Sequence, residues 1–300
     1  MPLPDRHTRE RALAETYSTR SSASVWELVE QYRQVQEYVA DHPNAGSTAV
    51  ARALELPRSR VRPWPDDGMP DAVRAIETAA RKGWLDAAPG DRPWAGLTIM
   101  HAWIVGGGAI TARNWRPRFA VGDDDPEAAL RAAARAVDVQ VAEQHTDAVG
   151  RGRELAVTTH GAVLGRYLGG VLDVPVGPKA GGDQSLPQWL TAAPFDTQLR
   201  WARTYVSLRG TTVPEGHGYR LQLKEEGRPA AWFRQVAALS RELIGDPNKH
   251  RDGLVDCAVA RPNGGDAGCS PVTPRLKKVQ SGPPLDGQSS TPLSTPARAS

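Results

Sequence analysis

The longest uninterrupted run of carboxylates in the chain is Asp123-Asp-Asp125. Clustered oxygen donors of this kind are what a hard divalent cation needs. The run stands directly before Pro126 and an Ala-rich stretch, however, and a turn with a helix cap accounts for it better than a metal site. The seven histidines are scattered with no HxxxH spacing, and the two cysteines, Cys257 and Cys269, fall near the C-terminus, so neither zinc nor a disulfide framework is indicated. No Ser/His/Asp set can be argued from spacing. Gly106-Gly-Gly108 lacks the following helix and lysine of a phosphate loop. His101, inside an apolar helix, reads as a packed and hydrogen-bonded residue. The chain is expected to hold no metal and no cofactor. What remains for chemistry is basic: Arg58-Ser-Arg-Val-Arg62, whose guanidinium groups suit phosphates and guanine edges. Two later segments, Arg116-Pro-Arg118 and Arg220-Leu-Gln-Leu-Lys224, alternate polar or basic with apolar residues.

A length of 300 residues allows one large or two modest domains, and a formal charge of +3 does not by itself demand nucleic acid. No apolar run approaches the ~18 residues of a membrane span, and the polar start is not a signal peptide, so a cytoplasmic protein is expected.

The elements that must position the basic residues are set by periodicity. Residues 1–21 are polar and are expected to be disordered. A helical domain is expected over 22–86. Val25, Leu28, Val29, Tyr32, Val35 and Val39 keep helical spacing from Val25 to Asp41. Ser47 or Thr48 should cap a short helix ending at Leu54, and Pro57 should open another that carries Arg58 to Arg62 up to Pro63. This resembles a resolvase-like helix-turn-helix. Ala49 and Ala53 would let the two helices cross, Leu54, Leu56 and Val61 would fill between them, and Ser47, Thr48, Arg58, Ser59, Arg60 and Arg62 would face DNA. Glu55 departs from the pattern, because it occupies a turn position where glycine is common. A further helix runs from Pro70 to Lys82, and 86–93 reads as a linker.

From 94 to 245 the order is helix 96–108, strands near 109–114 and 116–121, helix 126–136, strands 137–145 and 153–160, and helix 162–172. A second helix–Gly–strand–strand unit then begins with helix 195–209, continues with strands to 224, and ends with helix 230–244. The two stretches Leu97–Ile110 and Trp201–Val213, each an apolar helix running through glycine into a strand, resemble the LAGLIDADG homing-endonuclease superfamily. The resemblance implies an α-β-β-α-β-β-α core, here with an incomplete second repeat, in an α+β protein. In that superfamily the residue before the glycine is an acid that holds the catalytic metal; here Gly107 and Arg209 stand in those places, so cleavage is not expected. On the strands, Arg116 and Arg118 should share one face with Phe119 and Val121 opposite. Arg220, Gln222 and Lys224 should form the equivalent face of the second unit. From 246 to 300, Pro, Gly and Ser dominate without periodicity, which reads as disorder.

Together these features lead to a sequence-specific, regulatory DNA-binding protein with double-stranded DNA as partner, no membrane, and room for a homodimer. Two alternatives remain open from sequence. One is a site-specific endonuclease whose acids come from elsewhere or from a partner chain. The other is a scaffold without a DNA role, or the remnant of a homing element.

Overall fold

The polar first segment, expected to lack structure, forms a helix, α1 (Arg6–Glu15), started by the Asp5 carboxylate, which accepts the Thr8 N–H at 2.7 Å. Its inner face explains the discrepancy. Leu13 and Ala14 are fully buried, but the other anchors are charged. The Arg9 guanidinium donates to the carbonyls of Leu85 and Ala87 at 3.0 and 2.8 Å, and Glu10 receives Arg33 at 2.7 Å. Buried charge satisfied by distant partners leaves no hydrophobic period to detect. The computed structural model describes residues 4–19, 21–65, 68–144, 152–179, 184–215, 218–223, 227–244 and 257–259.

Helix α2 (Val25–Asp41) begins at a reciprocal capping box between Ser24 and Glu27 and buries Trp26, Val29, Tyr32 and Val35. Helices α3 (Ser47–Ala53), α4 (Arg58–Val61) and α5 (Asp71–Arg81) come next. The α3 cap is Gly46, not Ser47 or Thr48. No side chain caps this end; the Gly46 carbonyl takes the Ala49 and Val50 N–H groups. Ala49 and Ala53 are exposed rather than seated between helices; Val50, Ala51 and Val61 are the buried residues there. Glu55 does take the left-handed conformation of that turn, with φ +53°.

The chain is packed just before the stretch 86–93 and at Ala87 within it, while the rest of that stretch is exposed or half-buried. Trp84, Leu85 and Ala87 are buried, Trp84 Nε1 donates to Val137 O at 3.0 Å, and Tyr167 Oη donates to Trp84 O at 2.5 Å. Asp, Pro and Gly around these apolar residues give the stretch a loop composition, while the residues themselves join the helical part to the strand-bearing part.

The second part is α6 (Arg92–Gly107), β1 (Gly108–Ile110), β2 (Pro117–Ala120), α7 (Glu127–Ala136), β3 (Val141–Gln144), β4 (Glu154–Val157) and α8 (Gly161–Gly170). The strands form an antiparallel sheet in the order β1-β2-β4-β3. They are shorter than expected, but parity holds: Phe119 and Val121 are buried while Arg118 lies on the opposite face. Asp125 is not the α7 cap, which is Pro126; its carboxylate instead takes the Gly122 N–H at 2.6 Å in the preceding turn.

Then come α9 (Gln188–Thr191), α10 (Phe195–Arg209), β5 (Gly210–Glu215), β6 (Gly218–Leu223) and α11 (Ala230–Ile244). In the segment expected to be disordered, Cys257–Val259 forms β7, parallel to β6; the rest of 246–300 lies outside the described residues. The molecule is thus a mixed α+β protein in which helices dominate and the sheets are small. No helix among the described residues is long and apolar enough to cross a membrane.

Candidate functional site

Helices α6 and α10 run side by side in the same direction, as three contacts along their length establish. Near the start, Trp94 Nε1 donates to Thr197 Oγ1 at 3.2 Å. Midway, Trp201 Nε1 donates to His101 Nδ1 at 2.9 Å. At the end, Arg209 Nε donates to Gly106 O. Each helix then passes through glycine into an antiparallel hairpin, with Gly108 opposite Phe119 in one and Gly210 opposite Leu223 in the other.

The centre of this pair is aromatic and buried. His101 packs edge-to-face against Trp189 at 5.1 Å, and Trp201 stacks on Tyr205 at 5.2 Å. Indole N–H can only donate, so His101 Nδ1 must be the acceptor and the neutral ring carries its proton on Nε2. Burial pushes the His101 pKa down from 6.5 to about 3, with the Leu172 backbone acting in the opposite direction. The ring is neutral at ordinary pH and serves as packing and hydrogen-bond partner.

The C-terminal end of α6 meets the C-terminal end of α10 at Arg209. Three cations converge on its last carbonyls. Lys179 Nζ donates to Ile104 O and, at 3.2 Å, to Val105 O. Arg228 Nη2 donates to Val105 O at 2.7 Å, with its guanidinium 4.7 Å from the Trp232 ring centroid. Arg209 takes Gly106 O. A helix C-terminus carries partial negative charge, and these groups donate to its last-turn carbonyls, of which Ile104 O also accepts the Gly108 N–H. A divalent ion about 4 Å from just one such cation would be opposed by about 8 kcal/mol at an effective dielectric of about 20. The site is therefore built against metal. Among the described residues, no group of three or more His, Cys, Asp or Glu could hold a metal ion.

The glycines at this end differ in what they permit. A side-chain carbon at Gly108 would fall 2.4 Å from Arg118 O, and one at Gly106 would fall 3.1 Å from Leu208 Cδ1. At Gly107 the nearest atoms are 3.7 Å away, so a side chain fits there. Close packing explains Gly106 and Gly108 and leaves Gly107 unexplained. Comparison with family models, curated proteins and solved structures gives no match for this chain.

The sheet faces answer the expectation in part. Register pairs Ala109 with Arg118 and Thr211 with Gln222, so Arg118 and Gln222 occupy matching positions in the two hairpins, whereas Arg116, expected on the strand, is exposed just before β2 begins. Arg118 is not an isolated positive charge, since Nη1 reaches Glu154 Oε2 at 3.4 Å on the neighbouring strand. Lys224 lies outside the described residues, and of Arg220 only the backbone is described.

Around α4 the arginines divide. Arg58, Ser59 and Arg62 are exposed, as is Thr48, while Ser47 is half-buried. Arg60 turns inward, donating to Gln31 Oε1 at 2.7 Å and Ser21 Oγ at 2.6 Å, so it ties α4 to α2 instead of facing solvent. Lys179 and Arg228 were missed from sequence, as their target carbonyls are 75 and 123 residues away. Lys179 carries one local signal, the Pro- and Gly-rich run Val174-Pro-Val-Gly-Pro178 before it, and Arg228 carries none.

Proposed function

We propose that the chain is a duplex-DNA-binding protein, regulatory rather than nucleolytic. Its helix-turn-helix would lie over 47–62, and its second part would be a LAGLIDADG-like frame that has exchanged metal-holding acids for cations. The observation that carries the reading is the parallel pair α6/α10, each helix leading through glycine into a hairpin, with Lys179, Arg209 and Arg228 on the last carbonyls of α6. Arg58, Ser59, Arg62, Ser47 and Thr48 would meet the groove or its phosphates. Arg116, Arg118, Arg220, Gln222 and Lys224 would add contacts from the hairpins. Helix α4 has a single turn, so it would engage DNA mainly through phosphates and one or two base edges.

Mobility shift of a duplex across a salt series tests this. Binding should weaken linearly in log–log form, and replacing Arg58 and Arg62 together by alanine should reduce the slope by about two. An unchanged affinity and slope would refute the role given to those arginines. Nicking of plasmid DNA that requires Mg²⁺ would overturn the non-nucleolytic assignment.

A further inference from the structure

The loop between β1 and β2, residues 111–116, is fastened to two other elements. Within it, Trp115 N–H donates to Thr111 O at 2.9 Å, and Asn114 Oδ1 accepts the Arg116 N–H at 3.1 Å. Trp115 has φ +57°, a region bulky residues rarely occupy unless their surroundings impose it. Those surroundings are the glycines of α8. A side-chain carbon at Gly165 would lie 1.7 Å from Trp115 O, and one at Gly169 would lie 3.1 Å from the indole at Cζ3. The same helix receives α1, because Gly170 leaves room for Ala12 O, which a side-chain carbon would approach to 2.8 Å.

Arg166, on α8 between these glycines, joins the two. Its Cζ lies 4.6 Å from the Trp115 ring centroid and 4.0 Å from that of Tyr17, which comes just after α1. Its Nη1 donates to Thr16 O. The planar guanidinium can serve both rings and the carbonyl together, which an ammonium cannot. Arg113, on the fastened loop, is exposed.

We infer that Arg166 is a positioning residue that locks the Arg113-bearing loop to the N-terminal helices, so that both meet one DNA duplex as a single rigid reader. The inference rests on the DNA-binding reading above.

Hydrogen exchange on the full chain judges the joint without DNA. In Arg166→Met, the amides of Tyr17 and Trp115 should both exchange about tenfold faster, the size expected for losing a partly buried cation–π contact. Exchange along α6 and α10 should stay the same. Arg166→Lys should restore the rates only in part. Tyr17→Leu, which removes one ring and leaves Arg166, should reproduce the two-site effect even if Arg166→Met folds poorly. Acceleration at one site alone, or at neither, overturns the joint.

The DNA arm measures affinity across salt. Arg166→Met should weaken duplex binding about fivefold at unchanged salt slope, because no phosphate contact is removed, while Arg113→Ala should lower the slope by about one. A slope lowered by Arg166→Met would make Arg166 a direct phosphate contact and overturn the positioning role. Wild-type chain that fails to bind duplex would refute the DNA-binding reading, and the exchange result would still decide whether Arg166 is a joint.

Discussion

The unit formed by α6 and β1 and the unit formed by α10 and β5 share a path and differ in what each brings to their junction. Equivalent positions read Gly106-Gly107-Gly108 in one and Leu208-Arg209-Gly210 in the other. The first unit supplies open space and bare carbonyls; the second fills them, with Leu208 against Gly106 and Arg209 on the Gly106 carbonyl. Burial shows the same division. Helix α6 is buried along almost its whole length, whereas α10 keeps Arg203 and Ser207 exposed and Arg200 half-exposed. The two units are thus complementary rather than alike at their junction, sharing only the glycine and the strand that follows it. An acid has no place in this arrangement, since the junction is held by donors to carbonyls.

That asymmetry can be broken most strongly at Gly108. The alanine Cβ there meets the Arg118 backbone carbonyl and should lower stability in urea unfolding by about 3 kcal/mol. A loss below about 1 kcal/mol would mean the first unit is not closed as described. Acid should act next, through His101. The unfolded imidazole takes a proton near pH 6.5 and the folded one only near about 3, so the stability from this site is complete above the higher value and is lost as pH falls through the window. By pH 5 the loss should reach about 2 kcal/mol. Comparing the wild type with His101→Gln between pH 7 and pH 5 isolates it; equal slopes would show that His101 is not the group responsible. The smallest effect belongs to Gly107. Its Cβ position is open, so alanine should change the melting free energy by less than about 0.5 kcal/mol. A large loss would show a packing role at that position after all.

Much of the scaffold was readable because period and parity are local. Helices α2, α10 and α11 span the residues their patterns indicate, and alternation on β2 separates Arg118 from Phe119. The departures share one cause. Helix α1, the inward turn of Arg60 and the cations on α6 all depend on partners far along the chain. A polar residue whose partner is distant looks, in sequence, like one that faces water. Arg58 and Arg62 have the same local appearance as Arg60, and only tertiary contacts distinguish them.

Helix α1 has a practical consequence. Its composition invites removal, and a shortened version starting at Ser24 would look like ordinary tidying before expression. Such trimming would uncover the apolar faces of α5 and α8 that Leu13, Ala14 and Tyr17 cover, and would strand Arg33 without Glu10 and Arg166 without Thr16. The trimmed protein should aggregate on purification, whereas an affinity tag ahead of Met1 leaves every one of these contacts in place.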